Sequence, residues 1–374
     1  MRRVGRFALI AWLPLALLSC NEKHIVRLGA VLPMSGNATL YGQSIEHGMT
    51  LAFEMGKPDV PNADLSFSVV DSSSKPEQAK DQVRSLYLNG TTLVLGGVTS
   101  AEAIEIVPVL DELKQPLISP SASSPQLSGA SPYFFRVFPS DLHEGEAMAR
   151  FAVHDLKLST FVILAKQEVY ATGIQQIFKQ ECERSGAKVL EVLEFRPMIA
   201  NFGDLAAQVV ARAPQAVYVA GYAEEERDII QELAKRKFAG KILTTSAFSG
   251  GDTIASAGAI AEGVYFTAPA IQAESLPQVK AFLDGYRKKY GSDPDIYAAH
   301  GYDAMRYVLD VVRQGGWSSK RFLEKIKSAP EYPGVTGHIQ FDDKGDIRDL
   351  PRAFVVHGGK SEPARGQSPP APAV

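Results

Sequence analysis

Cysteine is scarce in this chain of 374 residues, in which only Cys20 and Cys182 occur. Two cysteines cannot form the dense disulfide framework that stabilises small secreted domains. The chain is long enough for about two domains of roughly 150 residues each. We therefore expect its stability to come from apolar side chains buried in ordinary hydrophobic cores.

Concentrated positive charge is absent beyond the first six residues. Lysine and arginine total 39 against 42 aspartate and glutamate residues, which gives a formal net charge of -3. Binding to nucleic acid needs lysine and arginine gathered on one face, where they neutralise phosphates. The sequence thus gives no positive signal for a nucleic-acid partner.

Catalytic motifs are absent as well. No serine lies in a G-x-S-x-G elbow, no H-E-x-x-H pair occurs, and the run Gly359-Lys360-Ser361 lacks the earlier glycine of a Walker loop. The seven histidines are scattered without metal-ligand spacing. We predict a protein that is not an enzyme and that uses no metal and no cofactor.

The N-terminal region contains an apolar run at residues 8–18, behind three arginines. This run is about half of the roughly 20 residues that a membrane-spanning helix needs, and it is typical of an export signal. The following Leu17-Leu18-Ser19-Cys20 resembles the lipobox of bacterial lipoprotein signals, in which the chain is cut before a cysteine that then receives a lipid. The resemblance implies a signal peptide at 1–19 and a lipid anchor on Cys20, at the periplasmic face of the cell envelope. A plain signal peptide followed by an incidental cysteine is the alternative.

The C-terminal residues 361–374 contain four prolines among small and polar residues. Such a stretch cannot bury enough apolar surface to offset the entropy lost on ordering. We predict a disordered tail.

Short runs rich in β-branched residues alternate with amphipathic segments from residue 27 onward. The predicted strands are 28–32, 65–70, 92–95, 116–119, 161–164, 189–195, 216–220, 242–245 and 264–267. Most are apolar on both faces, as a parallel sheet between two layers of helices requires. The intervening segments show helical spacing, as in Ala79, Val83 and Leu86. This alternation predicts an α/β fold with two doubly wound sheets.

A series of short motifs follows one protein family in order. They are 27–36 with Tyr41-Gly42, Val70-Asp71, 96–100, 118–123, Phe135-Arg136 with 139–141, Tyr170 with Gly173, Gly221-Tyr222, Tyr290-Gly291, 301–304 and Phe341-Asp342. Each motif alone is weak. The ordered set, which covers residues 25–360, resembles the type I periplasmic binding proteins of the branched-chain amino-acid class.

That resemblance implies two Rossmann-like lobes joined by three crossovers, with a ligand in the cleft between them. Lobe one would comprise 25–140 plus 270–335, and lobe two 141–269 plus 336–360. The implied function is the receptor of an ABC importer, which binds a small carboxylate-bearing solute such as an amino acid or organic acid and delivers it to an ABC permease. A ligand-sensing or regulatory envelope lipoprotein on the same fold stays open, because a fold does not settle function.

The first implied ligand contact is Ser100, which follows the predicted strand 92–95. Ligands bind at the carboxyl ends of strands in open α/β sheets, where helix N-termini present free N–H groups. The resemblance implies that Ser100 holds a ligand carboxylate. Thr99 and Glu102 have the spacing of a capping box, so a structural role is the alternative, and both roles are compatible.

The other implied ligand contacts come from both lobes. They are Ser121, Ala122 and Ser123 after the next strand, Tyr170 and Tyr222 after strands of lobe two, Tyr297 in the side-chain pocket, Tyr41 at the cleft rim, and Ser246. Turn formation by the serines and ordinary packing of the tyrosines are the alternatives. Ser124 with Pro125 is predicted only to cap a helix.

Ser246 marks a departure from the family. An acidic residue at the matching position pairs with the ligand's α-ammonium in the amino-acid binders, and a buried ammonium without a counter-charge is costly. We therefore expect a carboxylate ligand without a free α-ammonium, or an amino acid held more weakly. The alternative is that Glu224, Glu225 or Asp252 reaches the cleft and restores the charge.

Overall fold

The computed structural model describes residues 23–197 and 201–364. The predicted signal peptide, the predicted anchor Cys20 and most of the predicted tail lie outside the described residues.

The strands occur in two large sheets and one short ribbon. They are β1 (His24–Leu32), β2 (Ala63–Asp71), β3 (Leu93–Gly96), β4 (Leu117–Ser119), β5 (Phe134–Arg136), β6 (Thr160–Lys166), β7 (Lys188–Phe195), β8 (Ala216–Ala220), β9 (Lys241–Thr244), β10 (Tyr265–Ala268), β11 (Tyr332–Pro333), β12 (His338–Ile339), β13 (Arg352–His357) and β14 (Lys360–Pro363).

The helices alternate with these strands. They are α1 (Thr39–Gly56), α2 (Pro76–Leu88), α3 (Ser100–Leu113), α4 (Asp141–Arg150), α5 (Val169–Arg184), α6 (Gly203–Arg212), α7 (Ala223–Lys235), α8 (Thr253–Ala257), α9 (Pro277–Tyr290), α10 (Ile296–Arg313) and α11 (Ser319–Ser328).

The first sheet is parallel throughout, with the strand order β2-β1-β3-β4-β5. Successive residues of β1 enter two different cores. Leu28 and Ala30 pack with α1 and α10, whereas Val31 packs with α2 and α3. A strand covered on both faces must be apolar on both faces, which is the pattern that the sequence shows.

The second sheet has the order β14-β13-β10-β9-β8-β6-β7. Strands β6 to β10 are parallel, and β13 and β14 add an antiparallel edge. Helices again cover both faces, since Ile163 and Tyr218 pack toward α4 and α5 while Val162 and Val217 pack toward α6 and α7. The predicted α/β fold class with two doubly wound sheets is confirmed.

The predicted disordered tail is wrong over residues 361–363. These residues form part of β14, which pairs antiparallel with β13 at the edge of the second sheet. All four side chains of β14 are exposed. The strand is therefore held by its backbone ladder rather than by buried side chains, and it leaves no apolar pattern in the sequence.

The chain passes between the two sheets three times, after β5, after β10 and after α11. We call the first sheet with α1–α3 and α9–α11 the first lobe, and the second sheet with α4–α8 the second lobe. The segment between α11 and β12 is held by the buried Asp303 carboxylate of α10, which accepts the backbone N–H groups of Val335 and Thr336, each at 2.8 Å. The residue numbers at which each lobe begins and ends stay a prediction.

Candidate ligand-binding cleft

A small cavity lies between the two lobes. Its lining residues are Tyr41, Val98, Thr99, Ser100, Ser121, Ser123, Phe138, Tyr170, Tyr222, Ser246, Ala247 and Tyr297. The structure thus brings together every predicted ligand contact except Ala122. The Ala122 side chain packs into a core of the first lobe instead. That the lining residues bind a ligand stays a prediction.

The N-terminus of α3 opens into this cavity. The preceding turn requires glycine at Gly96, where φ is +146° and an added Cβ would lie 2.4 Å from the carbonyl oxygen of Val31. The predicted capping box is present, because Glu102 N–H donates to the Thr99 hydroxyl at 3.2 Å and Thr99 N–H donates to the Glu102 carboxylate at 3.0 Å. This N-terminus therefore presents a rigid, positively polarised edge to the cleft.

The serine hydroxyls at this end of the cavity have complementary roles. Ser100 accepts the N–H of Ser124 at 3.1 Å, so its own proton is free to donate to a ligand. Ser121 donates to the carbonyl of Val98 at 2.7 Å, so it can only accept from a ligand. As predicted, Ser124 caps a short 3-10 helix that starts at Pro125.

Tyrosine rings form the opposite wall. Tyr170 and Tyr222 stack with ring centroids 5.7 Å apart and an interplanar angle of 10°. Tyr41 contacts Tyr222 at 5.8 Å and Tyr297 at 4.7 Å. The hydroxyls of Tyr170 and Tyr222 are buried and have no hydrogen-bond partner within the described part of the chain. Such a wall combines apolar area with polar groups that remain to be satisfied.

The lobes touch each other directly across the cleft. The Tyr41 hydroxyl of the first lobe accepts the N–H of Ala223 at 2.8 Å and donates to the carbonyl of Ala247 at 3.4 Å, both in the second lobe. Nearby, the Asp295 carboxylate of the first lobe accepts the N–H of Gly251 at 2.6 Å. The structure is therefore in a closed arrangement.

Lys166, a buried lysine beside the cavity, was not predicted from the sequence. Lys166 is 1% exposed and pairs with Glu225 at 2.8 Å and Glu168 at 3.2 Å. Its ammonium lies 4.5 Å from the centroid of the Tyr222 ring, a cation–π geometry that fixes the ring. Lys166 ends the apolar run of β6, and this position is the sequence feature that could have indicated a buried lysine.

The second lobe also buries carboxylates next to Ser246. The Ser246 N–H donates to the Glu144 carboxylate at 2.6 Å, and the neighbouring Thr245 hydroxyl donates to Glu226 at 2.8 Å. Burial raises the pKa of Glu144 to about 7. Burial also raises the pKa of Glu226 well above its usual value.

The acidic residues weighed from the sequence lie elsewhere. Glu224 and Asp252 are exposed, and Glu225 is paired with Lys166. None of the three lines the cavity. The carboxylate next to Ser246 comes instead from Glu144, which is 102 positions away in the sequence.

Residues 23–197 and 201–364 contain neither a metal-binding cluster nor a membrane-spanning helix. That part of the chain contains no group of three or more His, Cys, Asp or Glu side chains arranged to hold a metal ion. None of its helices has the length and apolar character needed to cross a membrane.

Two lobes closed over a small cavity lined by aromatic rings and a few polar groups have the features of a ligand-binding cleft. The sequence matches the family model for periplasmic binding protein over residues 25–354, so the chain belongs to this family. The family comprises solute-binding receptors of ABC transporters rather than enzymes, and it implies an extracytoplasmic location.

Individual relatives agree with this assignment. The chain is 22% identical over 328 residues to the leucine-, isoleucine-, valine-, threonine- and alanine-binding protein of Pseudomonas aeruginosa, covering 87% of this chain and 88% of that protein. It superimposes on a leucine-binding protein from Thermotoga maritima with a TM-score of 0.85 and 26% identity, covering 91% and 97%. A solute-binding protein from R. palustris in complex with benzoate gives a TM-score of 0.84 at 19% identity, covering 91% and 95%.

Proposed function

We propose that this chain is the extracytoplasmic receptor of an ABC importer and that it encloses a small carboxylate-bearing solute between its lobes. The solute is a branched-chain or other amino acid, or a related organic acid. The observation that carries the proposal is the capped N-terminus of α3, which opens into the cavity opposite a wall of tyrosines.

The α3 end suits an anion. A helix N-terminus offers N–H groups without intrahelical partners and the positive end of the helix dipole. Ser100 adds a hydroxyl proton that no other described residue accepts. The leucine of the T. maritima relative's name and the benzoate of the R. palustris complex differ in their side chains, but both carry a carboxylate.

The test is a thermal-shift screen with carboxylates and their matched carboxamides, for example leucine with leucinamide and benzoate with benzamide. A ligand at 100 times its dissociation constant should add about 2.7 kcal/mol of stability. We expect carboxylates to stabilise the protein, and their carboxamides to bind about tenfold more weakly, because the helix terminus favours negative charge.

The matched variants are Ser100→Ala and Ser256→Ala. Ser256 donates to the Thr253 carbonyl within its own helix, away from the cavity. Ser100→Ala should weaken carboxylate binding, whereas Ser256→Ala should not. Equal binding of carboxylates and carboxamides would contradict the proposed site. For the importer role, deletion of the gene should lower uptake of the solute that stabilises the protein; unchanged uptake would favour the envelope-sensor alternative.

A further inference from the structure

Glu144 lies directly behind the floor of the cavity. It is 1% exposed, on the first turns of α4, immediately after the chain crosses into the second lobe. One of its carboxylate oxygens accepts the N–H of Ser246 at 2.6 Å and the hydroxyl of Thr267 at 3.2 Å. Since Ser246 lines the cavity, the Glu144 carboxylate contacts a residue of the cavity wall from behind.

No cation in the described part of the chain neutralises this carboxylate. Arg136, a buried guanidinium of the first lobe, is paired with Asp346 at 2.6 Å. Lys166 is paired with Glu225 and Glu168. A carboxylate buried without a cation raises the local negative potential, and a low-dielectric surrounding extends that potential into the adjoining cavity.

The titratable groups around Glu144 are carboxylates and phenols. The titratable neighbours that interact with it are Asp141 on the same helix, Tyr170 of α5, Tyr218 of β8, Glu226 of α7 and Tyr297 of α10. The titratable residues of β13, Arg352 and His357, are exposed. Strand β10 contributes the Thr267 hydroxyl. The titratable groups that interact with Glu144 are therefore acidic or neutral, while the nearby cation Arg136 acts on Asp141.

An unpartnered group in the cavity points to what fills this end. The Tyr170 hydroxyl is buried, lines the cavity and has no hydrogen-bond partner among the described residues. It lies close enough to Glu144 and Asp141 to feel both charges. A ligand amine would supply the missing hydrogen bond and the missing positive charge at once.

We propose that Glu144 is a specificity-determining residue that makes the second-lobe end of the cleft select a solute with a protonated amine. This inference rests on the proposed function, since the carboxylate of the same solute is held at α3. Glu144 acts through its charge and through Ser246, which it positions, and it takes over the role of an acid at position 246. The expectation of a ligand without an ammonium, which rested on Ser246 alone, is thereby replaced.

Selection by a buried acid couples binding to proton release. Burial raises the pKa of Glu144 to about 7 in the closed arrangement without a ligand, so protonation of this group competes with its ionisation near neutral pH. A bound ammonium favours the ionised carboxylate and lowers that pKa. Affinity for an amine-bearing ligand should therefore rise with pH around neutrality, and binding should release protons.

The experiment is titration calorimetry at pH 7 in two buffers of different ionisation enthalpy, which counts the protons released. The probes are leucine against 4-methylpentanoate and phenylalanine against 3-phenylpropanoate, each pair differing only in the amine. The variants are Glu144→Gln and, as a control on the same helix, Glu146→Gln, whose carboxylate is partly exposed and pairs with Arg150.

The wild-type protein should prefer the amine-bearing member of a pair and release protons when it binds. Glu144→Gln should weaken that member by about tenfold and abolish proton release, and it should not weaken the amine-free acid, which no longer meets a negative charge; Glu146→Gln should match the wild type. Equal binding of both members, or binding of the amine without proton release by the wild type, would overturn the inference while leaving the proposed function standing. The wild-type proton count needs no variant to fold. Failure of every carboxylate to bind would instead overturn both.

Discussion

Tyr41 joins the two lobes through a single hydroxyl group. Its ring belongs to α1 in the first lobe, but its oxygen bonds to the N–H of Ala223 and the carbonyl of Ala247 in the second lobe. Both bonds exist only when the cleft is closed. The hydroxyl group can therefore stabilise the closed form, while the ring packs in the core.

Replacing Tyr41 with Phe should weaken ligand binding by about tenfold, because each lost hydrogen bond contributes roughly 0.5–1.5 kcal/mol to closure. Most of the loss should appear as faster dissociation, and the melting temperature of the free protein should stay nearly unchanged. Stopped-flow release and thermal unfolding measure the two quantities. Tyr290→Phe is the control, since its hydroxyl bonds to the His47 carbonyl within the first lobe. Equal effects of the two variants on release would show that Tyr41 does not act by closure.

Single residues of the cleft differ in how well the sequence predicts them. Ser100, Tyr170 and Tyr222 directly follow strands, so topology alone places them at the edge where ligands bind. Glu144 lies one helical turn inside α4, and its partner Ser246 is 102 positions away. No local pattern distinguishes a buried acid from an exposed one on an amphipathic helix, so Glu144 could be found only from the folded chain.

At the scale of elements, the turn between β3 and α3 determines where the helix N-terminus points. Gly96 and Gly97 have φ values of +146° and +65°, conformations that side chains with a Cβ rarely adopt. The backbone of Gly96 also packs against Val31 of the adjacent strand. The capped start of α3 is thus fixed by backbone geometry as much as by Thr99 and Glu102.

The variant Gly96→Ala should destabilise the first lobe by more than backbone strain alone. Its Cβ would lie 2.4 Å from the carbonyl oxygen of Val31, so the turn must move. Gly186→Ala is the matched control, because Gly186 has a φ of +83° but no atom within 4 Å of the added Cβ. The control should cost about 1–2 kcal/mol, and Gly96→Ala clearly more, as measured by urea unfolding. Equal costs would mean that the contact with Val31 relaxes freely.

The strands also differ in how well the sequence predicts them. The central strands were predicted because burial on both faces demands continuous apolar runs. Strand β5 is only three residues long and ends in Arg136, a buried arginine whose partner Asp346 comes from a distant segment. Strands β13 and β14 form an edge with mostly exposed side chains. Strand β13 depends on pairing with the distant β10, and β14 pairs in turn with β13.

The whole molecule would be placed at the membrane by its N-terminal segment. The lipobox-like Leu17-Leu18-Ser19-Cys20 predicts a lipid on Cys20. Cys20→Ser should remove the protein from the detergent phase in phase partitioning, because no acyl chain is attached to supply membrane affinity. Cys182→Ser is the control, since Cys182 is buried in the second lobe. Unchanged partitioning of the Cys20 variant would refute the anchor.

Three crossings between two rigid lobes permit a hinge motion. The closed contacts described above are three hydrogen bonds and the ring contact of Tyr41 with Tyr222. A ligand that contacts both lobes shifts the population toward closure. Asp295 provides the sharpest test. One of its oxygens caps α10 at Ala298 and accepts the Ser44 hydroxyl, while the other accepts the N–H of Gly251 across the cleft.

Asp295→Asn can keep the oxygen that caps α10 and replace the oxygen facing Gly251 with an amide group that cannot accept. Small-angle scattering should show that a saturating ligand compacts the wild-type protein, whereas the variant compacts less and needs more ligand to do so. Asp310→Asn, on an exposed part of the same helix where Asp310 pairs with Arg313, should behave as the wild type. If the wild type is equally compact with and without ligand, the lobes do not open, and the contacts of Asp295 and Tyr41 are permanent parts of the fold.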